Sequence, residues 1–484
     1  MSQSIEQLLQ SPEGKTLEFK RDLSSPRNLL KTLVAFANTA GGCLLVGVND
    51  QRQVVGVEQP LDEEERLANL ISDAIAPRLV PDIELLTHEG KSLLRVEVFL
   101  SGLRPHYLKA TGIDDGVYVR LGSSSRQAGR ELIAQLQRSA AGVVFDELPM
   151  PALTLDDLDL DAARRWFGEQ HALNEKALLT LRLLVREQGR LVPTKGGVLL
   201  FGKQRELHFP DAWVQCGRFA GTDKTQIFDH MDIHASLPDS VEQVLEFLKK
   251  HAMRSADFSE VRRKDVWSIP LVMLREAVIN ALVHADYSQV GVPIRVAFFD
   301  DRIEVESPGI LVPGLTVDDM KLGVSSLRNR VIARVFRELN LIEQWGSGVR
   351  RIFSEAKALG LPEPEIAEIG MRLRLTVYIA AQVRGESGAV SGVESGVESG
   401  VESSLAEQVL LCLRAAPLSK SGIARALGRA KPNRYLNELM NRLLESGQVA
   451  YTVPEKPQSR LQKYRLTAKG RRGLAPVPPS EDLH

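Results

Sequence analysis

The chain has 484 residues, 43% of them hydrophobic, enough for about two to four domains with ordinary cores. Lys+Arg 61 against Asp+Glu 62 leaves a formal net charge of -1, so no whole-molecule field draws in nucleic acid or a membrane surface, and any such partner must meet a local patch. Cys43, Cys216 and Cys412 lie far apart without a Cys-x-x-Cys, which argues against zinc, and no apolar run approaches the ~20 residues that span a bilayer, so a cytoplasmic protein without a membrane anchor is expected.

In chain order, Leu17 and Phe19 alternate with Glu18 and Lys20, the pattern of a short strand with its charged face outward. The Gly14-Lys15-Thr16 beside it is not a P-loop, because Leu9 stands where the first glycine is needed. Arg27 to Ala40 predicts a helix stopped by Gly41-Gly42, and Cys43 to Val48 a strand buried on both sides. Asn49-Asp50 predicts a turn leading into Val54 to Val57 as a hairpin. A helix over Asp62 to Ile75 and strands over Asp82 to Thr87 and Leu93 to Leu100 follow. Val117 to Arg126 is rich in Ser and Arg and poor in acids, so Arg120 and Arg126 are candidates for phosphate contact, with a plain polar loop as the alternative.

The order Glu13, Glu18-Phe19-Lys20, Ala35 to Gly42 and Gly47-Val48-Asn49-Asp50 resembles the Schlafen AlbA-like domain, which sets a first domain over 1–142. That resemblance implies nucleic-acid binding. In nuclease members of that family two glutamates five residues apart and an aspartate form a metal-dependent RNase centre, and Glu13, Glu18 and Asp50 are the matching positions. Three carboxylates at one point repel unless Mg²⁺ or Mn²⁺ sits between them. The other reading is a solvated strand face and an ordinary turn aspartate.

Asp146 to Asp161 is acidic with two prolines and marks the boundary to a second domain over 143–385. Helices are expected over Leu160 to Gln170 and Asn174 to Gln188, strands near Val198 to Phe201 and Asp211 to Phe219, and a helix over Ser240 to Met253. Along the stretch Arg275 to Ser288 and the turn before it the apolar Leu271, Leu274, Val278, Ala281, Leu282 and Ala285 recur at helical spacing, while Glu276, Asn280 and His284 stack one turn apart on another face. A carboxylate, an amide and an imidazole looking into one space suit a metal and a water. A strand pair around Asp300-Asp301 follows, then a turn at Ser307-Pro308-Gly309, then a helix headed by Arg328-Asn329; Gly346-Ser347-Gly348 opens another helix, where backbone N–H groups can approach phosphate.

Glu-x-x-x-Asn-Ala on a helix, a strand ending in Pro-Gly and a later Gly-x-Gly resemble the GHKL ATPase fold, an α/β sandwich. Together with Thr194 to Gly202, Asp301-Arg302-Ile303-Glu304 and Glu343 to Gly348, they resemble a prokaryotic group labelled transcriptional regulators or RecG-like proteins, which joins an AlbA-like domain to this ATPase-like domain. The resemblance implies ATP and Mg²⁺ as ligands. Glu276 would be the general base, Asn280 the Mg²⁺ ligand, and His284, Gly309, Arg328, Asn329, Gly346, Ser347 and Gly348 nucleotide contacts. Two departures stand out: Val305 occupies the place counted for the adenine-reading aspartate, and His284-Ala285-Asp286-Tyr287 lacks the arginine of the group's His-Arg-Asp-Tyr. No Walker motif precedes a helix, so a helicase is not expected.

Ser-Gly-Val-Glu, begun at Ser391, Ser395 and Ser399, predicts a flexible linker over 386–403. Beyond it, over 404–471, three helices and two strands fit a winged helix-turn-helix, followed by a tail over 472–484. From Ser404 onward there are 14 Lys/Arg against six Asp/Glu, with Lys431 and Arg434 on the expected recognition helix and Arg460 and Lys463 on the wing. The whole reads as a multidomain α/β protein that binds ATP and nucleic acid, foremost a DNA-binding transcriptional regulator that forms a homo-oligomer. A nucleotide-controlled ribonuclease is the alternative.

Overall fold

The computed structural model describes residues 4–168, 173–252, 254–257, 264–267, 269–342, 348–379, 409–410, 412–414, 417–426, 440, 443–444, 447–452 and 463–467. The chain divides into two compact units, Met1–Gly385 and Glu386–His484.

The first unit begins with a four-stranded sheet in the order Leu17–Lys20, Gly42–Val46, Lys91–Val98, Asp82–His88. Its first two strands are parallel and therefore need a crossover, which the helix Pro26–Asn38 supplies; this helix buries Leu29, Leu33, Val34, Phe36 and Ala37 in the head's core with Leu67 and Ile71. The chain leaves that helix through Gly41, whose φ of 76° and whose absent Cβ, which would lie 2.7 Å from the Val98 carbonyl oxygen, admit only glycine. The charged face of Leu17–Lys20 is not outward as the alternation suggests, because Glu18 is buried. The hairpin expected from Asn49 to Val57 reduces to one bridge, Val48 to Val54, since the Asn49 side chain accepts the N–H groups of Gln51 and Gln53 and curls the loop.

A six-stranded sheet follows, ordered Ile227–Ile233, Val214–Phe219, Ile294–Phe298, Arg302–Pro308, Arg372–Tyr378, Glu365–Ile369, with one parallel pair, Val214–Phe219 beside Ile294–Phe298. Ile303, Val305 and Val377 face a core shared with the helices Leu237–His251, Leu271–His284 and Gly348–Ala358. Glu304 and Glu306 lie on the opposite face and are buried beneath long cations: Arg302 Nε is 2.8 Å from Glu304, Arg374 is 2.6 Å from Glu306, and Lys224 is 3.5 Å from both. The aliphatic stems of these cations cover the strands, so this sheet face needs no second helical layer.

Two expected elements take another form. Val198 to Phe201 belongs to the helix Lys195–Phe201, capped by the Thr194 hydroxyl accepting the Gly197 N–H at 2.9 Å; a short apolar run has no period with which to distinguish strand from buried helix. Asn174 to Gln188 breaks after the helix Glu175–Thr180 into a hairpin, Leu184–Glu187 with Arg190–Pro193, whose turn residues Gln188 and Gly189 both have positive φ, 48° and 79°.

In the second unit the described residues include the helix Lys420–Ala426 and an antiparallel pair, Val449–Tyr451 with Tyr464–Leu466, around a core of Val409, Leu413, Ile423, Met440 and Leu443. Leu418 bridges to Tyr464 at the other edge of that hairpin. The linker over 386–403, the expected recognition-helix residues Lys431 and Arg434, the wing residue Arg460 and the tail fall outside the described residues.

Candidate functional site

Helix Leu271–His284 is apolar nearly all round, with Met273, Leu274, Ala277, Val278, Ile279 and Leu282 buried, and its exceptions are Arg275 and the three polar residues expected from the spacing. Glu276, Asn280 and His284 line a single cavity of about 190 Å³. Val305 and Ser307, alternate residues of one strand, form its sheet side, and the segment Gly309–Leu315 with Ser325 to Arg328 roofs it.

Each polar residue has a distinct electrostatic setting. The Asn280 Nδ2 is buried and has no hydrogen-bond partner among the described residues. Gly348 opens its helix so close to Glu276 that a Cβ there would lie 2.4 Å from the carboxylate Oε2. Burial, and then the Arg328 charge, lower the His284 imidazole to about 4, so the ring is neutral at physiological pH. Arg328 is buried, donates to the Ile310 carbonyl and lies 3.9 Å from the Asp286 carboxylate.

Some expected contacts serve architecture instead. Asn329 does not face a ligand: its amide donates to the carbonyls of Val283 and Ala285, both at 2.8 Å, and ties the roof to the end of the central helix. Gly309, with φ of 102°, lines the cavity beneath Arg328. Gly346 and Ser347 fall outside the described residues, whereas Gly348 lies in the cavity wall. The sequence reading missed Ser307, two positions along the same strand face from Val305, and Arg337, an exposed cation at the cavity wall. Strand alternation would have found Ser307. An arginine on an amphipathic helix gives no such signal.

The head places its carboxylates apart. Glu18 is held by Lys20 and by Arg120 at 2.5 Å; Arg120, 1% exposed, also donates to the Gly14 carbonyl and to Ser125. Arg120 is therefore an internal tie and not a phosphate contact on the surface. The Glu13 carboxylate accepts the Phe19 N–H at 2.8 Å, and Asp50 is an exposed turn residue. Among the described residues no group of three or more His, Cys, Asp or Glu could hold a metal, so Glu13, Glu18 and Asp50 do not form the expected centre. Arg126 is exposed on the hairpin Tyr118–Leu121 with Ser124–Gln127, and Lys463 is exposed at the start of Tyr464–Leu466. No helix among the described residues is long and apolar enough to cross a membrane.

Comparison with known proteins matches residues 13–129 to the family Schlafen, AlbA_2, and residues 291–377 to HATPase_c_4, described as "Putative ATP-dependent DNA helicase recG C-terminal". Residues 406–467 match the C-terminal domain of Fic-like proteins, filamentation induced by cAMP. No curated protein matches the chain. Among solved structures, a protein from Corynebacterium diphtheriae is similar at 20% identity and a TM-score of 0.41, over 96% of this chain and 98% of that one. The N-terminal domain of a RecG-related protein from Nitrosomonas europaea is 31% identical over 26% of this chain and 94% of its own, with a TM-score of 0.22. The chain thus joins a Schlafen AlbA_2 domain to a RecG-type HATPase_c_4 domain.

Proposed function

We propose that this protein binds ATP with Mg²⁺ in the cavity beside helix Leu271–His284 and binds nucleic acid, acting as a nucleotide-responsive, DNA-binding transcriptional regulator. The observation that carries the nucleotide reading is the alignment of Glu276, Asn280 and His284 along one cavity wall, with the unpartnered Asn280 amide buried there. A buried polar group without a partner costs about 1–3 kcal/mol, a cost that a ligand offsets. Within the cavity the base takes the end at His284 and Ser307, and the sugar and phosphates lie along the helix at Asn280 and the helix start at Gly348. The Asn280 carbonyl oxygen would hold Mg²⁺ while its unpartnered Nδ2 would donate to a phosphate oxygen; Arg337 meets phosphate charge, and Glu276 orients a water if the nucleotide is hydrolysed. The neutral His284 and Ser307 offer hydrogen bonds at the apolar end of the cavity.

The nucleic-acid part is supported by the AlbA_2 match and by the 14 Lys/Arg against six Asp/Glu beyond Ser404. The ribonuclease reading loses its footing in the head, where the Glu18 carboxylate is committed to Arg120 and Lys20.

Thermal unfolding with and without nucleotide tests the reading. Mg·ATP at a hundred times its Kd should stabilise the fold by about 2.7 kcal/mol by mass action. Asn280→Ala should remove the Mg²⁺-dependent part of the shift, and Glu276→Ala should keep binding while abolishing any hydrolysis. No shift with ATP, ADP or GTP at millimolar concentration would sink the proposal.

A further inference from the structure

We infer that Lys15 of the head is a positioning residue for the nucleotide cavity, acting through Glu368 on the backbone of Leu311. The inference rests on the nucleotide reading above and adds to it a route by which the AlbA_2 domain and the cavity sense each other.

Glu368 lies on the edge strand Glu365–Ile369, and its Oε1 accepts two hydrogen bonds: from Lys15 Nζ at 2.7 Å and from the Leu311 N–H at 2.8 Å. The ion pair is withdrawn from water, with side-chain exposures of 11% for Lys15 and 5% for Glu368. Burial lowers the Lys15 ammonium and the Glu368 charge opposes that shift, as expected for a cation whose main compensation is this carboxylate.

Leu311 belongs to the cavity roof. Ile310, Leu311, Val312 and Leu315 all line the cavity, and Ile310 also packs against Val117, Val119, Leu132 and Leu136 of the head. The Gly314 N–H donates to the Thr39 carbonyl at 2.7 Å, while the Thr39 hydroxyl accepts the Arg120 N–H at 2.9 Å. Arg120 in turn holds the carbonyl of Gly14, the residue before Lys15. The roof is therefore tied to the head, and Lys15 is the cation whose ion pair with Glu368 reaches the Leu311 backbone. Without it, Glu368 is left with the Leu311 N–H and the more distant Arg328 charge, and it must take up water or a new rotamer, releasing Leu311.

The test uses full-length protein and a fluorescent trinitrophenyl-ATP with Mg²⁺, on wild type, Lys15→Met, Lys15→Arg and Glu368→Gln. Lys15→Met should raise the Kd about tenfold, within the usual range for coupled sites, and Lys15→Arg should restore most of it. Glu368→Gln, which keeps an acceptor for Leu311, should fall between. A merely structural ion pair would lower the melting temperature of all nucleotide-free variants and leave Kd unchanged, and that outcome overturns the inference. Hydrogen exchange on the wild type provides the reciprocal check should Lys15→Met fail to fold: nucleotide must slow exchange in residues 13–20 as well as in 309–315. Protection confined to 309–315 also overturns it. If wild type binds no nucleotide, the function proposed above fails and this inference with it; if wild type binds and the variants bind equally, only the inference fails.

Discussion

Replacing Glu18 separates an architectural carboxylate from a catalytic one. The Glu18–Arg120 contact of 2.5 Å is shielded, with side-chain exposures of 10% and 1%, and Glu18→Leu leaves the Arg120 guanidinium buried with the Gly14 carbonyl, Ser125 and the Phe36 ring but no opposite charge among its described partners. Breaking a buried pair from one side costs about 3–5 kcal/mol, and the remaining acceptors place this case near 3. No tryptophan precedes Trp166, so fluorescence would not report on the head, and hydrogen exchange is the suitable assay. Peptides spanning 13–23 and 117–127 should exchange roughly a hundredfold faster in Glu18→Leu, the equivalent of about 3 kcal/mol in local opening. Pairing it with Arg120→Met should recover most of the protection, because a buried apolar pair replaces an uncompensated charge. Exchange within threefold of wild type in Glu18→Leu would refute this account and return Glu18 to the list of catalytic candidates.

Gly348→Ala should leave the fold intact and weaken nucleotide binding by tenfold or more in a direct titration, since the added Cβ, 2.4 Å from Glu276 Oε2, drives that carboxylate into the cavity; unchanged affinity would show that the nucleotide does not use this end. His284, held at about 4 in the fold, should show no ring titration by NMR between pH 5 and 8. Its folded value lies below the unfolded one of about 6.5, so the stability it contributes is complete above about pH 6.5 and is lost as pH falls towards 4, up to about 3 kcal/mol and less because the cavity admits water. A His284 titration near 6.5 would contradict the burial argument. Duplex DNA binding by the full chain should weaken as salt rises, and Lys463→Ala should weaken all sequences alike and flatten the salt slope by about one unit. A slope untouched by that change would remove Lys463 from the interface.

What the sequence reveals is set by the distance over which each pattern is written. Glu276, Asn280 and His284 are legible because four-residue steps along one helix place them together whatever surrounds the helix. The hairpin after Glu175–Thr180 is not, because Gln188-Gly189 is a weak turn signal inside a stretch with acceptable helical composition. Glu18 looks solvated because alternation assigns it a face but cannot know that Arg120, 102 residues later, will cover that face. The sheet strand Arg302–Pro308 misleads in the same way, since Glu304 and Glu306 appear to mark an open face and are buried by Arg302 and Arg374.

The two asparagines assigned to the site show how the fold resolves what residue type cannot. Asn280 and Asn329 are both amides near a helix and a glycine turn, and either would serve a nucleotide. The fold uses both Asn329 donors on two carbonyls 44 and 46 residues away, both at 2.8 Å, so the amide N–H groups are spent on the backbone and hold the side chain there. The Asn280 Nδ2 is equally hidden from bulk water and has no partner among the described residues. A protein interior rarely retains such a group without a purpose, because substituting an apolar residue there would relieve the desolvation cost. Polar satisfaction, more than residue identity, therefore separates Asn329, whose donors tie the roof to the central helix, from Asn280, whose unpartnered donor the proposed nucleotide would satisfy.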